Sequence, residues 1–209
     1  MSAPIILPPS ADQHALVNGI REAAARHRTL LLEPGIHFTL PGKLQTIPIG
    51  PAGITIGATA LKAVIKRPDF SIPSADPDFN YGLFFIPSPP TNDELAAAVW
   101  KPFPNANPPF EFAVFIRGSI AISGLAVDTN MGKQKLETAP PSAADHSAML
   151  GFSGLRYRAP DGPNKIQKFI YIGFENVTVH DLTCEHGGYA DDIWFAPGDA
   201  FFHPNIERV

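Results

Sequence analysis

The sequence predicts an all-β fold built from stacked repeats, and two observations lead to this prediction. The first is that "IAISGLAVD" (120–128) and "VTVHDLTCE" (177–185) match at every apolar position. The second is that "IERV" (206–209) repeats the apolar spacing of "VHDL" (179–182), 27 residues further along the chain. Repeat folds stack units of roughly 20 to 45 residues, so this displacement is the size of one unit.

Each matched block contains two alternating segments separated by one additional residue, which predicts a short strand, a sharp bend and a second strand. A slip of one residue would exchange the inward and outward positions, so agreement at every inward position indicates a true repeat. The residues expected to face the interior are Ile120, Ile122, Leu125, Val127, Val177, Val179, Leu182 and Cys184.

An amphipathic helix is predicted near the N-terminus, over residues 10–28. Ser10 is expected to cap it, and Gln13, three residues later, to complete a capping box. After Arg28 the apolar period changes from that of a helix to that of strands, with turns marked by glycine and proline. The predicted apolar face of the helix consists of Leu16, Ile20, Ala23, Ala24 and His27.

Two segments, residues 68–111 and 129–168, interrupt the strand pattern. The first is rich in proline and aromatic residues and contains a predicted short helix at "NDELAAAVW". The second carries six basic residues against three acidic ones. We expect both to be long loops inserted into one domain that spans residues 1–209, and long loops are frequent sites of binding.

Composition and charge restrict the classes of partner. A formal charge of −4 and a pI near 5.9 argue against nucleic acid and anionic membranes as partners, because both require a basic surface. The single cysteine, Cys184, excludes an intrachain disulfide, and its inward position predicts a core residue rather than a nucleophile. Residues 1–13 have neither the basic region nor the apolar run of a signal peptide.

The predicted helix, followed by "LLLEPGIHFTL", "GITIGA", "ENVTVHDLTCEHGG" and "DDIWF", resembles the pectate-lyase-like superfamily. The resemblance covers about residues 11–67, 112–130 and 169–209. It implies a right-handed parallel β-helix with an N-terminal capping helix, and it suggests an extracellular protein. The superfamily includes polysaccharide lyases, glycoside hydrolases, epimerases, esterases and the shafts of phage tailspikes, so the fold does not select one activity.

Asp128 and Glu185 form the first candidate pair of acids. If the matched blocks lie on neighbouring strands, the two carboxylates are separated by about 4.8 Å. Two carboxylates that close predict a raised pKa for one of them, giving a general acid beside a base, or the recruitment of a cation such as calcium. The alternative is that both acids cap turns and point into water.

Asp191 and Asp192 form the second pair. "ADD" at 190–192 is similar to the Asp-Asp motif of polygalacturonase-type hydrolases, whereas "DTN" at 128–130 stands where that family has Asn-Thr-Asp. Consecutive side chains alternate along a strand, so one of these aspartates is expected to face solvent and the other to face inward or to form a turn. A turn role and a catalytic role are both compatible with the sequence.

Arg156 and Arg158 are candidates for binding substrate carboxylates. They are two residues apart and therefore lie on one side of an extended segment, where arginine pairs with carboxylate through two hydrogen bonds. The alternative is a solvated loop. His186, beside Glu185, is the third substrate-binding candidate. Neither His186 nor His180 has the ligand spacing of a zinc site, and a surface histidine is the alternative for each.

Together these residues predict a protein that acts on an acidic polysaccharide by hydrolysis or β-elimination. Acid–base chemistry is assigned to Asp128, Glu185, Asp191 and Asp192. The alternatives are a non-catalytic glycan-binding or structural β-helix, as in tailspike shafts, and an inactive N-terminal fragment of a longer lyase-like chain. Because "FFHPNIERV" ends partway through a repeat, the last strand is expected to be covered by further chain or by a second copy of the protein.

Overall fold

The structure, a computed structural model, is mostly β. It places eighteen strands and two helices in the part of the chain that it describes. The described residues are 3–10, 12–40, 46–60, 62–69, 82–103, 105–130, 133, 149–161, 165–186, 193–196 and 204–207. Neither described helix is long and apolar enough to cross a membrane.

Three sheets contain only parallel pairs of strands. Sheet A consists, in spatial order, of β1 (Ile5–Leu7), β2 (Leu30–Leu32), β5 (Ile54–Ala58), β10 (Ile120–Ser123), β15 (Val177–His180) and β18 (Pro204–Glu207). Sheet B consists of β3 (Gly35–Phe38), β6 (Ala63–Lys66), β11 (Ala126–Asp128) and β16 (Thr183–Glu185). Sheet C consists of β4 (Thr46–Ile49), β7 (Leu83–Pro87), β12 (Leu150–Ser153) and β17 (Ile193–Ala196).

The chain visits these three sheets in a constant order. From β2 onward each turn adds one strand to sheet A, then one to sheet B, then one to sheet C, and β18 returns to sheet A. The predicted repeat is confirmed residue by residue, because Ile120 pairs with Val177 and Val127 with Cys184. The third copy is also confirmed, since Ile206 lies beside Val179.

The predicted inward positions form the core shared by the stacked strands. Seven of the eight are buried, and Cys184 is half-buried and packs against that core. The additional residue that separates the two strands of each block is Gly124 in one turn and Asp181 in the next. Both adopt a left-handed backbone, with φ of 68° and 53°. This conformation turns the chain from sheet A into sheet B, and Leu125 and Leu182 then point back into the core.

The N-terminal helix is shorter than predicted and begins differently. Helix α1 spans His14–Ala25, and its N-cap residue, Gln13, makes no capping hydrogen bond through its side chain. Ser10 does not cap the helix, because it forms a β-bridge with His37 and its hydroxyl accepts a hydrogen bond from the Asp12 N–H. The helix buries Leu16, Val17, Gly19, Ile20 and Ala23, whereas His27 is exposed.

The two segments predicted as loops contain strands of the stack. Strand β7 lies in residues 68–111 and β12 lies in residues 129–168, and they pair with each other in sheet C. Apolar residues on both faces of β7, "LFFIP", hide the alternation that would reveal a strand. Phe85 and Phe152 stack in the core with their ring centroids 5.3 Å apart.

Parts of these segments, together with residues 112–117 and 169–174 that follow them, build a fourth sheet, sheet D. The first segment also contains helix α2 (Asn92–Ala96), where a short helix is predicted. In sheet D, β9 and β14 are parallel, and β8 and β13 add to their outer edges in antiparallel orientation. Both β9 and β14 lead directly into strands of sheet A. The bounds are β8 (Lys101–Pro102), β9 (Phe110–Arg117), β13 (Leu155–Ala159) and β14 (Gln167–Phe174).

Candidate functional site

A row of charged residues crosses the end of sheet B. Lys66, Asp128 and Glu185 are register partners on β6, β11 and β16. Their neighbours in sequence, Ile65 and Val127, face the core, so the charged residues occupy the opposite face of the sheet. We call Lys66, Asp128 and Glu185, together with His186, the charged row. Stacking of successive turns therefore brings together residues that are far apart in the sequence.

Asp128 is the centre of the row and is only 3% exposed. The Lys66 Nζ lies 2.9 Å from its Oδ2, and the His186 Nδ1 lies 3.0 Å from its Oδ1. The backbone N–H of Asn130 also donates to Oδ1, at 2.8 Å. Burial raises the pKa of Asp128, but the hydrogen bonds from Lys66, His186 and Asn130 outweigh burial and leave this pKa below its ordinary value. Asp128 is therefore ionised at neutral pH.

His186 reaches Asp128 through a local change in backbone direction. Its φ is 49°, and its carbonyl oxygen accepts a 2.6 Å hydrogen bond from the Thr129 hydroxyl. An ionised carboxylate only accepts hydrogen bonds, so the ring proton resides on Nδ1 and Nε2 holds the lone pair of the neutral imidazole. The side chain is 67% exposed. The histidine is thus oriented by a buried anion while it is accessible to solvent.

The backbone beneath the row is fixed by Asn130 and Arg67. The Asn130 amide donates to the Arg67 carbonyl at 3.0 Å and to the Asp69 carboxylate at 2.7 Å. The Arg67 N–H in turn donates to the carbonyl of Asp128 at 3.0 Å. Arg67 is buried, and burial lowers its pKa to about 10. These contacts hold the ends of β6 and β11 in one arrangement, which positions the side chains of the row.

The structure brings together three of the residues proposed from the sequence, Asp128, Glu185 and His186. The sequence predicts a raised pKa for one acid of the Asp128–Glu185 pair; Asp128 itself is buried, and its pKa is lowered. Lys66 was missed. Its signal was available, because "AVIK" (63–66) aligns with "LAVD" (125–128) and places Lys66 beside Asp128.

The arginines proposed as a carboxylate clamp lie on β13 of sheet D. Arg158 binds the Asp161 carboxylate, with an Nη2–Oδ1 distance of 2.8 Å. The Arg156 guanidinium lies over the rings of Phe169 and Tyr171, 4.8 and 5.5 Å from their centroids. These partners belong to sheet D and its connecting loop rather than to the charged row. Asp191 and Asp192 lie outside the described residues.

Asp128, Glu185 and His186 also offer potential metal-binding atoms within 4.8 Å of one another. Calcium prefers six to eight oxygen ligands, and this group supplies a nitrogen among its three residues. The Lys66 ammonium already lies against Asp128, where it would repel a second cation. The described residues of the row therefore suit proton transfer better than calcium binding.

Comparisons of the chain with protein-family models, with curated proteins and with solved structures give no match. The chemistry assigned to the charged row therefore rests on its own geometry.

Proposed function

We propose that the chain is a carbohydrate-active protein with a right-handed parallel β-helix, and that it cleaves an acidic polysaccharide by β-elimination. The constant order of sheets A, B and C supports the helical arrangement, because each turn adds one strand to the same three parallel sheets. Connections between parallel strands of one sheet are right-handed in about 98% of cases, which supports the handedness.

The observation that carries the proposed activity is the contact between exposed His186 and buried, ionised Asp128. A carboxylate that binds Nδ1–H fixes the tautomer of the ring and stabilises the imidazolium that forms when Nε2 takes a proton. His186 is therefore the general base, and Asp128 is a positioning residue that acts through it.

In the proposed reaction, Nε2 of His186 removes the proton on the carbon next to the uronate carboxyl group. The electron pair of that C–H bond forms a carbon–carbon double bond, and the glycosidic C–O bond on the adjacent carbon breaks. The departing oxygen takes a proton from water. Lys66 stabilises the negative charge that develops on the carboxyl group of the substrate.

We propose β-elimination rather than hydrolysis because Asp128 is buried and ionised. Hydrolytic enzymes of this kind use two carboxyl groups that flank the scissile bond, one of them as an acid. Asp128 is buried, ionised and bound by three donors, so it is poorly suited to attack a sugar or to deliver a proton. Among the described residues of the row, Glu185 is then the one exposed carboxylate, and proton removal by an imidazole is the better fit.

The test compares the purified wild type with His186→Ala on pectate, alginate and a neutral glucan. We expect the wild type to release unsaturated products that absorb ultraviolet light from a uronate polymer. Removing a general base should lower kcat by about 10²- to 10⁴-fold. Asp128→Asn should also lower kcat, because an amide can present either a donor or an acceptor to Nδ1 and no longer fixes the tautomer of the ring.

His180→Ala is the matched control for this experiment. His180 also contacts an aspartate through Nδ1, at 2.8 Å from Asp181, but that aspartate is exposed and the pair lies outside the charged row. We expect His180→Ala to retain the wild-type rate. Full activity of His186→Ala would exclude the proposed base, and new reducing ends without ultraviolet absorbance would indicate hydrolysis instead.

A non-catalytic, structural role for the row is the second candidate, and one observation favours it. Both oxygens of Asp128 are occupied by donors from the protein itself. In that case Asp128→Asn lowers the melting temperature, and the folded wild type leaves all three polymers uncleaved with and without added calcium.

A further inference from the structure

Sheet D presents an aromatic face, which we define as Phe103, Phe110, Phe112, Phe169 and Tyr171. The Phe103 and Phe110 rings stack with centroids 4.7 Å apart, and Phe110 meets Phe169 edge-on at 5.1 Å. Phe112 contacts both Phe103 and Tyr171 with centroid distances of 6.0 Å. These contacts join rings from three segments of the chain into one continuous surface.

The aromatic face is the solvent-facing side of sheet D. The residues that alternate with the aromatic ones along β14, including Ile170 and Ile172, face the opposite side of the sheet. They pack against Leu95 and Trp100. On the aromatic side Phe103 is 48% exposed, and the apolar surface continues into Ile116, which is 47% exposed. Large contiguous apolar patches on a protein surface commonly mark binding sites.

Cations lie at both edges of this face. Across the four strands one line of register partners reads Lys101, Phe112, Phe169 and Arg158, so it begins and ends with a basic residue. This line spans three strand spacings, about 14 Å. Arg156 precedes Arg158 by two residues on β13. Its guanidinium lies over the rings of Phe169 and Tyr171, so its positive charge also contacts the aromatic face. Arg158 forms an ion pair with Asp161, and Lys101 at the opposite edge is exposed.

We propose that the aromatic face binds an extended anionic polysaccharide, with sugar rings stacked on the phenylalanines and uronate carboxylates paired with Lys101 and Arg156. The inference rests on the proposed substrate class but places this binding on sheet D, on elements other than the charged row. Sugar rings have apolar C–H faces that pack against flat aromatic side chains, and their carboxylates match the planar guanidinium. A purely apolar partner would gain nothing from cations at both edges.

A polysaccharide is favoured over single-stranded nucleic acid by the amount of charge. Nucleic-acid grooves follow a phosphate backbone with many cations, and binding strength depends on how many phosphates are neutralised. Among the described residues, the edge strands of the aromatic face carry Lys101, Arg156 and Arg158, on a chain whose formal charge is −4. This number of cations suits a polymer that carries one carboxylate on each sugar and that binds mainly through stacking of its sugar rings.

The test measures binding of polygalacturonate oligomers by calorimetry, with the His186→Ala protein as the parent so that the ligand stays intact. We expect Lys101→Gln combined with Arg156→Gln to weaken binding about tenfold or more, and to reduce the dependence of Kd on salt. Phe103→Ala should weaken binding to a similar extent at all salt concentrations. Circular dichroism shows whether each variant is folded.

Matched control variants test whether the loss of binding is specific to the aromatic face. Arg26→Gln removes an exposed arginine that, like Arg158, pairs with one carboxylate, but on α1. Val99→Ala removes an apolar side chain that is exposed outside the aromatic face. Neither change should alter Kd.

Binding that is unchanged in the aromatic-face variants would overturn this inference while leaving the role of His186 to its own test. Binding that depends on these residues, in a protein that cleaves no polymer, would support the inference and count against the proposed reaction. Equal affinity for a neutral glucan, or tighter binding of oligothymidylate, would overturn the assignment of an anionic polysaccharide.

Discussion

Gly124 and Asp181 occupy equivalent corners of two turns and share a left-handed backbone. This conformation costs most L-residues roughly 1–2 kcal/mol, because Cβ approaches the carbonyl oxygen, whereas glycine, asparagine and aspartate tolerate it. A Cβ atom built on Gly124 would meet nothing within 4 Å, so a substitution there acts through the backbone rather than through a clash.

We therefore expect Gly124→Val to lower the free energy of unfolding by about 1–2 kcal/mol, since a β-branched residue is strained at positive φ. Gly124→Asn should cost clearly less and is the matched control, because Asp181 occupies the same position in the next turn. Urea denaturation of the three proteins measures the difference. Equal stability of the two variants would mean that backbone strain does not limit this corner.

At the level of residues, the sequence revealed the site in part. Alternation along the matched blocks placed Glu185 beside Asp128, because a side-chain period of two transmits register from strand to strand. It did not reveal that His186 contacts Asp128. Regular extension of the strand would direct His186 away, and the contact depends on its φ of 49°, which periodicity does not encode.

One buried arginine, Arg117, joins helix α2 to sheet D. Arg117, on β9, donates two hydrogen bonds to Glu94, at 2.7 and 3.2 Å, and a third to the Ser88 carbonyl. The hydrogen bonds from Arg117, followed by those from Thr91, lower the pKa of Glu94 from 4.5 to about 2. The helix has no fully buried residues of its own, so this ion pair and the packing of Leu95 against Ile170 and Ile172 hold it to sheet D.

We predict an acid-dependent loss of stability from this ion pair. A lowered pKa in the folded state contributes stability that is present above the unfolded value of 4.5 and is lost as the pH falls towards about 2. Glu94→Gln should therefore reduce the melting temperature at pH 7 but reduce it less at pH 3. Asp93→Asn, in the same helical turn, is the control. The loss is modest, because Glu94 is partly exposed.

Elements were predictable where one face of a strand is polar. The blocks at 120–128 and 177–185 alternate cleanly, and their strands lie where expected. Strand β7 was missed because its outward residues are also apolar, and β12 was missed in a segment dominated by charged and small residues. Sheet D was missed for another reason, since its pairing joins β9 and β14 across a long stretch of sequence.

In the molecule as a whole, the turns share one core, and Val179 illustrates how strongly they depend on one another. Val179 is fully buried and lies between Ile122 and Ile206 in sheet A. Each internal strand of sheet A pairs with the strands on both sides, so damage to one strand weakens its neighbours.

Val179→Asp should destabilise the protein by several kcal/mol, because it buries an unpaired charge. Thr178→Asp is the control, since its side chain occupies the opposite face of the same strand and is half-buried. We expect thermal denaturation to show a large loss for the first variant and a small one for the second. Similar melting temperatures for both would contradict the shared core.

The lengths of the connections between sheets indicate where insertions can be added to such a protein during evolution. Sheet A is joined to sheet B by links of two residues at 33–34, 124–125 and 181–182, and of four residues at 59–62. That corner therefore contains little added chain in any turn. Between sheets C and A, by contrast, two turns accommodate α2 and all four strands of sheet D, and the register of the stack continues undisturbed. New surfaces can therefore be acquired, exchanged or lost at that corner. Insertions at that corner would leave the charged row, at the end of sheet B, unchanged.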